Sequence, residues 1–303
     1  MKKLHLFIAI AVACMWGFNF SIIKLGVSEM DPLILTGLRF TFATFPAIFF
    51  IKRPNVSLSV LALYGLTFGI GVWGMLTLSI HLGVSAGMSS LILQSSAFIS
   101  VLLGVVFLKE KLTLLRKVGL VVSILGLALI FTLEDGSVTL IGILFACFAA
   151  VSFSITSLII KKVVIRDMFA FVVWSCIFAP IPLFALSFII NGASGFNALL
   201  NNINTLSAFS VLFQAYPVTI LGYWLWNKLV AQYPMSTMAP LTLLVPLFAL
   251  LGSAIFYNEA IGMTKVTACL LILSGIAIGL SEGLIGKIKL KTTLWLGYAK
   301  KST

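Results

Sequence analysis

The sequence predicts an all-α integral membrane protein of ten transmembrane helices, built as two inverted-topology five-helix repeats. Three observations lead there. Of 303 residues, 61% are hydrophobic and only 9% are charged, with a mean hydropathy of +1.18, whereas a soluble protein carries about 25% charged residues. The apolar residues fall into runs close to the roughly 20 residues that span a bilayer, without the short alternating segments of a β-barrel. One stretch also recurs. Ala86 to Phe131 is overlaid by Met235 to Leu280, placing Phe107 on Phe256, Glu110 on Glu259, Arg116 on Lys265 and Gly126 on Gly275. A period near half the chain marks two homologous halves rather than a solenoid of short repeats.

The expected spans cover approximately 4–27, 32–51, 59–82, 86–108, 114–133, 138–160, 168–190, 206–230, 235–257 and 264–286. The first resembles a signal peptide, with Lys2 and Lys3 before an apolar run, but that run continues to Ile23, too far for a signal core, and is read as an uncleaved span. Pro180 and Pro182 interrupt the seventh span, and Pro240 and Pro246 the ninth; proline removes a backbone donor and bends a helix. Between the seventh and eighth spans, Phe196, Leu199, Leu200 and Ile203 recur at helical spacing and suit a helix lying on the membrane surface.

With the N-terminus in the cytoplasm, 17 of the 20 basic residues fall in cytoplasmic segments, leaving only Lys24, Arg39 and Lys265. Glu29, Asp31, Glu134, Asp135 and Glu259 fall outside. This bias follows the positive-inside rule and puts both termini in the cytoplasm. It also makes membrane topology, not nucleic acid, the reason for the net charge of +12. Ten spans divide as five plus five, and an odd number per half gives the halves opposite orientation, with a site expected between them. The expected units are 1–134, 135–286 and a basic cytoplasmic tail, 287–303, suited to an anionic leaflet. Cys14, Cys147, Cys176 and Cys269 all sit inside spans and form neither a disulfide framework nor a metal-ligand pair. No nucleotide loop, cofactor motif or nucleophile–base set stands out, so an enzyme is not expected. The remaining non-transport reading, an intramembrane lipid-processing enzyme, would need a polar catalytic cluster at one leaflet.

The first span reads Trp16-Gly17-Phe18-Asn19-Phe20-Ser21-Ile22-Ile23-Lys24 and the second contains Gly37-Leu38-Arg39-Phe40. With Leu93-Gln94, the Glu110 elbow, Pro240, Leu244-Val245-Pro246 and Glu259, these residues resemble the motifs of the drug/metabolite transporter superfamily, specifically its EamA-type ten-helix exporters. Tyr64-Gly65-Leu66-Thr67, Ala86-Gly87, Trp174-Ser175 and Gly222-Tyr223 bring the chain nearest to the exporters of O-acetylserine and cysteine in the bacterial inner membrane. It departs from their pattern at Ser85 and Ser96, where they carry proline and glutamine. The resemblance implies a multi-pass inner-membrane secondary transporter that exports small metabolites by alternating access. Efflux of drugs or other hydrophobic organic compounds is the alternative, and monomer and homodimer are both compatible with the sequence.

An ionisable group at mid-span costs roughly 2.5–3.5 kcal/mol on insertion scales, so each needs a reason. Arg39 lies about two turns inside the second span and Lys24 in the last turn of the first. They are expected either to draw a solute carboxylate towards the exit or to serve structure, Lys24 by snorkelling and Arg39 by pairing with Glu29, Asp31 or backbone carbonyls. No Asp or Glu lies mid-span, which argues against a cation antiporter with a buried carboxylate. His81, at the outer end of the third span, is the candidate titrating group for proton coupling. Neutral groups can still hold a zwitterionic solute. Asn19, Gln94, Ser95, Ser96, Tyr223, Asn227 and Thr242 are the polar candidates, Trp16, Trp73 and Trp224 the aromatic ones, which line the pathway or simply pack, and Pro240 and Pro246 the candidate hinges.

Overall fold

The structure is a computed structural model and describes residues 1–109, 113–202, 204–233, 235–279 and 281. The Glu110 elbow and the 287–303 tail therefore lie outside the described residues. Seven helices are long and apolar enough to cross a membrane: α1 (Lys3–Glu29), α2 (Pro32–Phe49), α3 (Leu58–His81), α4 (Ala86–Phe107), α6 (Leu140–Lys162), α7 (Met168–Asn191) and α8 (Thr205–Gln232). Three shorter ones complete the order: α5 (Leu114–Ile130), α9 (Leu244–Tyr257) and α10 (Met263–Gly279).

The expectation of ten full-length spans is thus met by seven, with shorter helices at the fifth, ninth and tenth places. The ninth is short because the helix divides at Leu243 into Met235–Thr242 and α9. The expected surface segment contains a helix, Ser194–Asn202, whose Phe196 ring packs on Phe184 and Phe188 at 6.2 and 6.5 Å.

Side chains at the starts of the helices take up orphan backbone donors. Asp31 accepts from the N–H groups of Leu33 and Ile34, both at 2.9 Å, with Pro32 at the first helical position. Ser57, Ser85, Thr139 and Asp167 do the same for α3, α4, α6 and α7, and Asn204 with Ser207 forms a capping box on α8. Large apolar side chains such as Phe7, Leu63, Ile181 and Ile189 remain exposed on the outside of the bundle, a surface suited to lipid rather than water.

Inside, glycines allow the helices to approach closely. A Cβ on Gly17 would lie 2.6 Å from the Val245 carbonyl oxygen, so α1 packs directly on α9. A Cβ on Gly65 would lie 2.0 Å from the Ser175 carbonyl, bringing α3 onto α7. α5 and α10 cross antiparallel. A Cβ on Gly119 would meet Gly275 and Gly279, one on Gly126 would meet Leu271 and Ile272, and the Ser123 hydroxyl donates to the Ile272 carbonyl at 3.3 Å.

Irregular backbone recurs within two residues of the spacing of the sequence repeat. π-Helical turns occupy Thr67–Gly74 in α3 and Gln214–Leu221 in α8. The fourth helix breaks at Ser95, and its overlaid counterpart breaks at Leu243. Among the described residues, the non-glycine residues with positive φ are Lys109 (φ 55°) and Asn258 (φ 51°), which are overlaid on each other.

The two ends of the bundle differ in charge. The end carrying the N-terminus also holds Lys52, Arg53, Lys161 and Lys162, and is called here the basic end. The opposite, acidic end carries a polar cluster. Lys265 Nζ, almost fully buried, lies 2.8 Å from both Asp135 and Glu259. The Ser85 hydroxyl donates to Glu259 at 2.8 Å, and the Ser253 hydroxyl donates to the same carboxylate. The cluster ties the α5–α6 connection to the ends of α4, α9 and α10. Asp135 lies outside the spans. Its burial pushes the carboxyl up, but donors on Lys265 and Ser137 outweigh that and hold it at about 2.

Two outcomes are expected. Gly65→Val should lower the melting temperature of the purified protein through a clash costing about 1–3 kcal/mol or more, whereas Gly262→Ala, with nothing within 4 Å, should not. Because the Asp135 carboxyl is lowered on folding, its stabilisation is complete above the ordinary carboxylate value and fades as pH falls through about 2. Melting curves of wild type and Asp135→Asn should therefore differ by a constant amount from pH 7 to about 5 and converge in stronger acid. The carboxylate is 41% exposed, so the difference should be small and salt-sensitive.

Candidate functional site

A cavity of about 570 Å³ runs from the middle of the bundle towards the basic end. Its mid-bundle walls come from α1, α3, α4 and α8, and Ile160, Met168 and Val230 mark its extent at the basic end. Every break described above borders it: Phe68 and Trp73 from one π turn, Val218 from the other, Gln94 and Ser96 beside Ser95, and Thr242 and Leu243. Irregular backbone in a membrane is tolerated where it is buried in protein or lines a cavity.

Most polar candidates meet here. Trp16, Asn19, Trp73, Gln94, Ser96, Tyr223, Asn227 and Thr242 all line the wall. Asn19 is fully buried, and neither its amide nitrogen nor its oxygen has a hydrogen-bond partner in the protein; nor do Trp73 Nε1, Ser90 Oγ and Asn227 Nδ2. Leaving such groups unsatisfied costs about 1–3 kcal/mol each, so their collection around one cavity marks a place for a polar ligand or water. Trp16 is held differently: its indole N–H donates to the Val218 carbonyl at 3.1 Å, and its ring lies 5.4 Å from Tyr223 and 5.2 Å from Trp226. No charged side chain lines the cavity among the described residues.

Other candidates fall elsewhere. Ser95 is buried in the helix break, its hydroxyl without a partner, and is not on the cavity wall. Lys24 lies over the Tyr257 ring, 4.2 Å from its centre, in a separate pocket of about 430 Å³ beside the acidic-end cluster. The structure does not bring His81 to either cavity: it is exposed at the end of α3. Pro246 is buried in the first turn of α9, just beyond the break at Leu243. Pro240 lies in Met235–Thr242, and its side chain is outside those described.

Arg39 departs from expectation. It is 1% exposed and pairs with neither Glu29 nor Asp31. Asn204 engages Glu29, while Asp31 caps α2 and accepts from Ser187 and Asn191. The guanidinium instead meets neutral oxygens, Thr219 Oγ1 at 3.3 Å and Gln214 Oε1 at 3.5 Å, and stacks 4.0 Å from the centre of Trp73. The sequence reading missed Gln214 and Thr219. Pro217 between them was the one available sign of irregular backbone. It also missed the Lys265 ion pairs, although Lys265 stood out as one of three basic residues away from the cytoplasmic segments.

The comparisons with known proteins agree with this architecture. A solved crystal structure 17% identical to the chain superposes with a TM-score of 0.61, covering 92% of this chain and 99% of that one, a likeness of fold alone. A Salmonella typhimurium protein named a probable amino-acid metabolite efflux pump is 34% identical over 284 residues, 92% of this chain and 95% of the relative. The Escherichia coli protein of the same name is 33% identical over 277 residues, 89% and 93% of the two chains. The EamA-like transporter family model matches residues 3–132 and again residues 140–280. With matches across both stretches and relatives of this identity, the chain belongs to the EamA-like transporter family.

Proposed function

We propose that this protein is a secondary transporter of the bacterial inner membrane that exports small amino-acid metabolites, cysteine and O-acetylserine among them, by alternating access. The observation that carries this is the central cavity: it reaches the basic end, stops short of the acidic end, and holds amide, hydroxyl and indole groups without partners. The basic end is read as cytoplasmic by the positive-inside rule, with both termini on that side. A solute entering from the cytoplasm would meet donors and an acceptor in Asn19, with Gln94 at the helix break. A zwitterion needs both kinds of group, and a neutral wall suits it better than a cation.

Alternating access requires two arrangements of the same elements. Two inverted five-helix halves, meeting between residues 132 and 140, would supply them. The double family match, the recurring irregularities and the antiparallel crossing of α5 with α10 all support that reading. In the present arrangement the Lys265–Glu259–Asp135 cluster holds the acidic end shut, and opening there would require parting it. A second reading, efflux of hydrophobic organic compounds, is favoured by one feature: the cavity wall includes the rings of Trp16, Phe20, Tyr64, Phe68, Trp73 and Tyr223.

The test is uptake of labelled cysteine and O-acetylserine into inside-out vesicles, with and without a proton gradient, beside Gln94→Ala. Saturable uptake, weakened several-fold in the variant, is expected. No uptake of either by well-folded protein, together with broad compound resistance in cells that make it, would move the function to the second reading.

A further inference from the structure

We propose that Arg39 is the carboxylate-binding residue of this transporter, in an anion subsite between the central cavity and the acidic end; the proposal rests on the amino-acid reading above. A guanidinium this deeply buried is normally paired with an anion. Here no carboxylate touches it among the described residues, because Glu29, Asp31, Asp135 and Glu259 are each engaged elsewhere. Three of its five N–H groups are taken, two by Thr219 and one, at the 3.5 Å limit, by Gln214. One N–H on each terminal nitrogen is left over. The Trp73 ring stacked on the guanidinium carries a further orphan donor, its indole N–H. A positive charge and two spare guanidinium N–H groups together match a carboxylate, which accepts two or more hydrogen bonds.

The subsite is built by the two π-helical turns. Trp73 belongs to the turn in α3, Gln214 and Thr219 to the turn in α8. The Thr219 hydroxyl donates to the carbonyl of Gln214, five residues back, at 2.8 Å, which turns its lone pairs to Arg39. The Gln214 amide donates through Nε2 to Ser210 Oγ at 3.0 Å, so its oxygen faces the guanidinium. Both are positioning residues: they fix the guanidinium and leave part of it free. Between it and the cavity stands an aromatic wall. The Trp73 ring lies 6.5 Å from Phe20 and 6.2 Å from Phe68, and Phe68 lies 6.0 Å from Tyr223. A solute in the cavity would reach Arg39 when Trp73 turns aside, which places the subsite on the way out.

The test measures how strongly O-acetylserine and cysteine, each beside its primary amide, raise the melting temperature of the detergent-purified full chain, with apparent affinities from the concentration dependence. In wild type the acids should bind roughly 10- to 100-fold tighter than the amides, the worth of a lost charge-assisted bond. Arg39→Gln should bind acid and amide alike, and without solute should melt no lower than wild type, because it removes a buried charge that lacks a counter-ion. Thr219→Val should weaken acid binding, and Thr219→Ser should restore it. If wild type binds acids and amides equally, or Arg39→Gln keeps the preference for acids, the subsite is overturned and the amino-acid reading stands. If wild type responds to none of the four compounds, both are overturned. Should Arg39→Gln fail to fold, Arg39→Lys decides: it keeps a charge but loses the planar fork, so the preference should fall, and an unchanged preference overturns the subsite.

Discussion

A bilayer core offers a backbone no hydrogen-bond partners, so each departure from a regular helix must be sheltered by protein or by enclosed water. The rest of this architecture depends on that constraint. Departures from α-helical geometry in α3, at Ser95, in α8 and at Leu243 surround one cavity, while α7 breaks at residues 177–179, just ahead of Pro180, and α2 at Phe45 and Pro46, both away from its wall. The outside of the bundle presents apolar side chains, Phe7, Ile181 and Ile189 among them. Carbonyls freed from their usual partners and side chains turned out of helical register are thus concentrated where a polar solute could use them. π-Helical turns are rare and are found often at functional sites; here they occur in the two helices that also hold the buried guanidinium.

Two kinds of contact hold the elements around that cavity. Where α1 meets α9 and α5 meets α10, glycine allows near-backbone contact, which gives lateral strength by van der Waals packing where lipid supplies no hydrophobic drive. Side-chain polarity is used more sparingly. It appears at the acidic end, where Lys265 reaches both Asp135 and Glu259, and around Arg39, where the neighbours are neutral. The first joins one ammonium to two carboxylates and ties several elements together. The second leaves a charge in excess, an arrangement that costs stability on the order of several kcal/mol unless something else compensates.

Much of this was legible in the sequence, for identifiable reasons. Apolar runs and basic loops report helix positions because bilayer thickness and charge asymmetry act on composition directly. The overlay of Phe107-x-x-Glu110 on Phe256-x-x-Glu259 anticipated a shared helix end, and Lys109 and Asn258 do share a left-handed backbone there. Asn19, Gln94 and Trp73 were readable because polar or bulky groups stand out within an apolar span. The rest depended on three-dimensional context. Gln214 and Thr219 matter because a π turn sets them five residues apart on one guanidinium, and helical spacing does not announce that geometry. Arg39 was recognised as costly, but its isolation from Glu29 and Asp31 follows from Asn204 and the cap of α2, contacts between segments far apart in the chain. His81 shows the converse: its chemistry suits proton transfer, yet it lies at an exposed helix end.

The π turn in α3 has a geometric consequence of its own. A π-helical segment accommodates a surplus residue relative to an α-helix, and each residue of an α-helix turns the chain by about 100°. The turn at Thr67–Gly74 therefore acts as a phase shifter between two stretches of one rod. Gly65, before it, is aligned for close contact with α7, while Trp73, at its far end, is aligned with Arg39. In an unbroken helix, a rotation that suited one of these contacts would misdirect the other. The surplus residue separates the two requirements, so that packing against a neighbour and presentation of a ring to the interior can be set independently along a single helix.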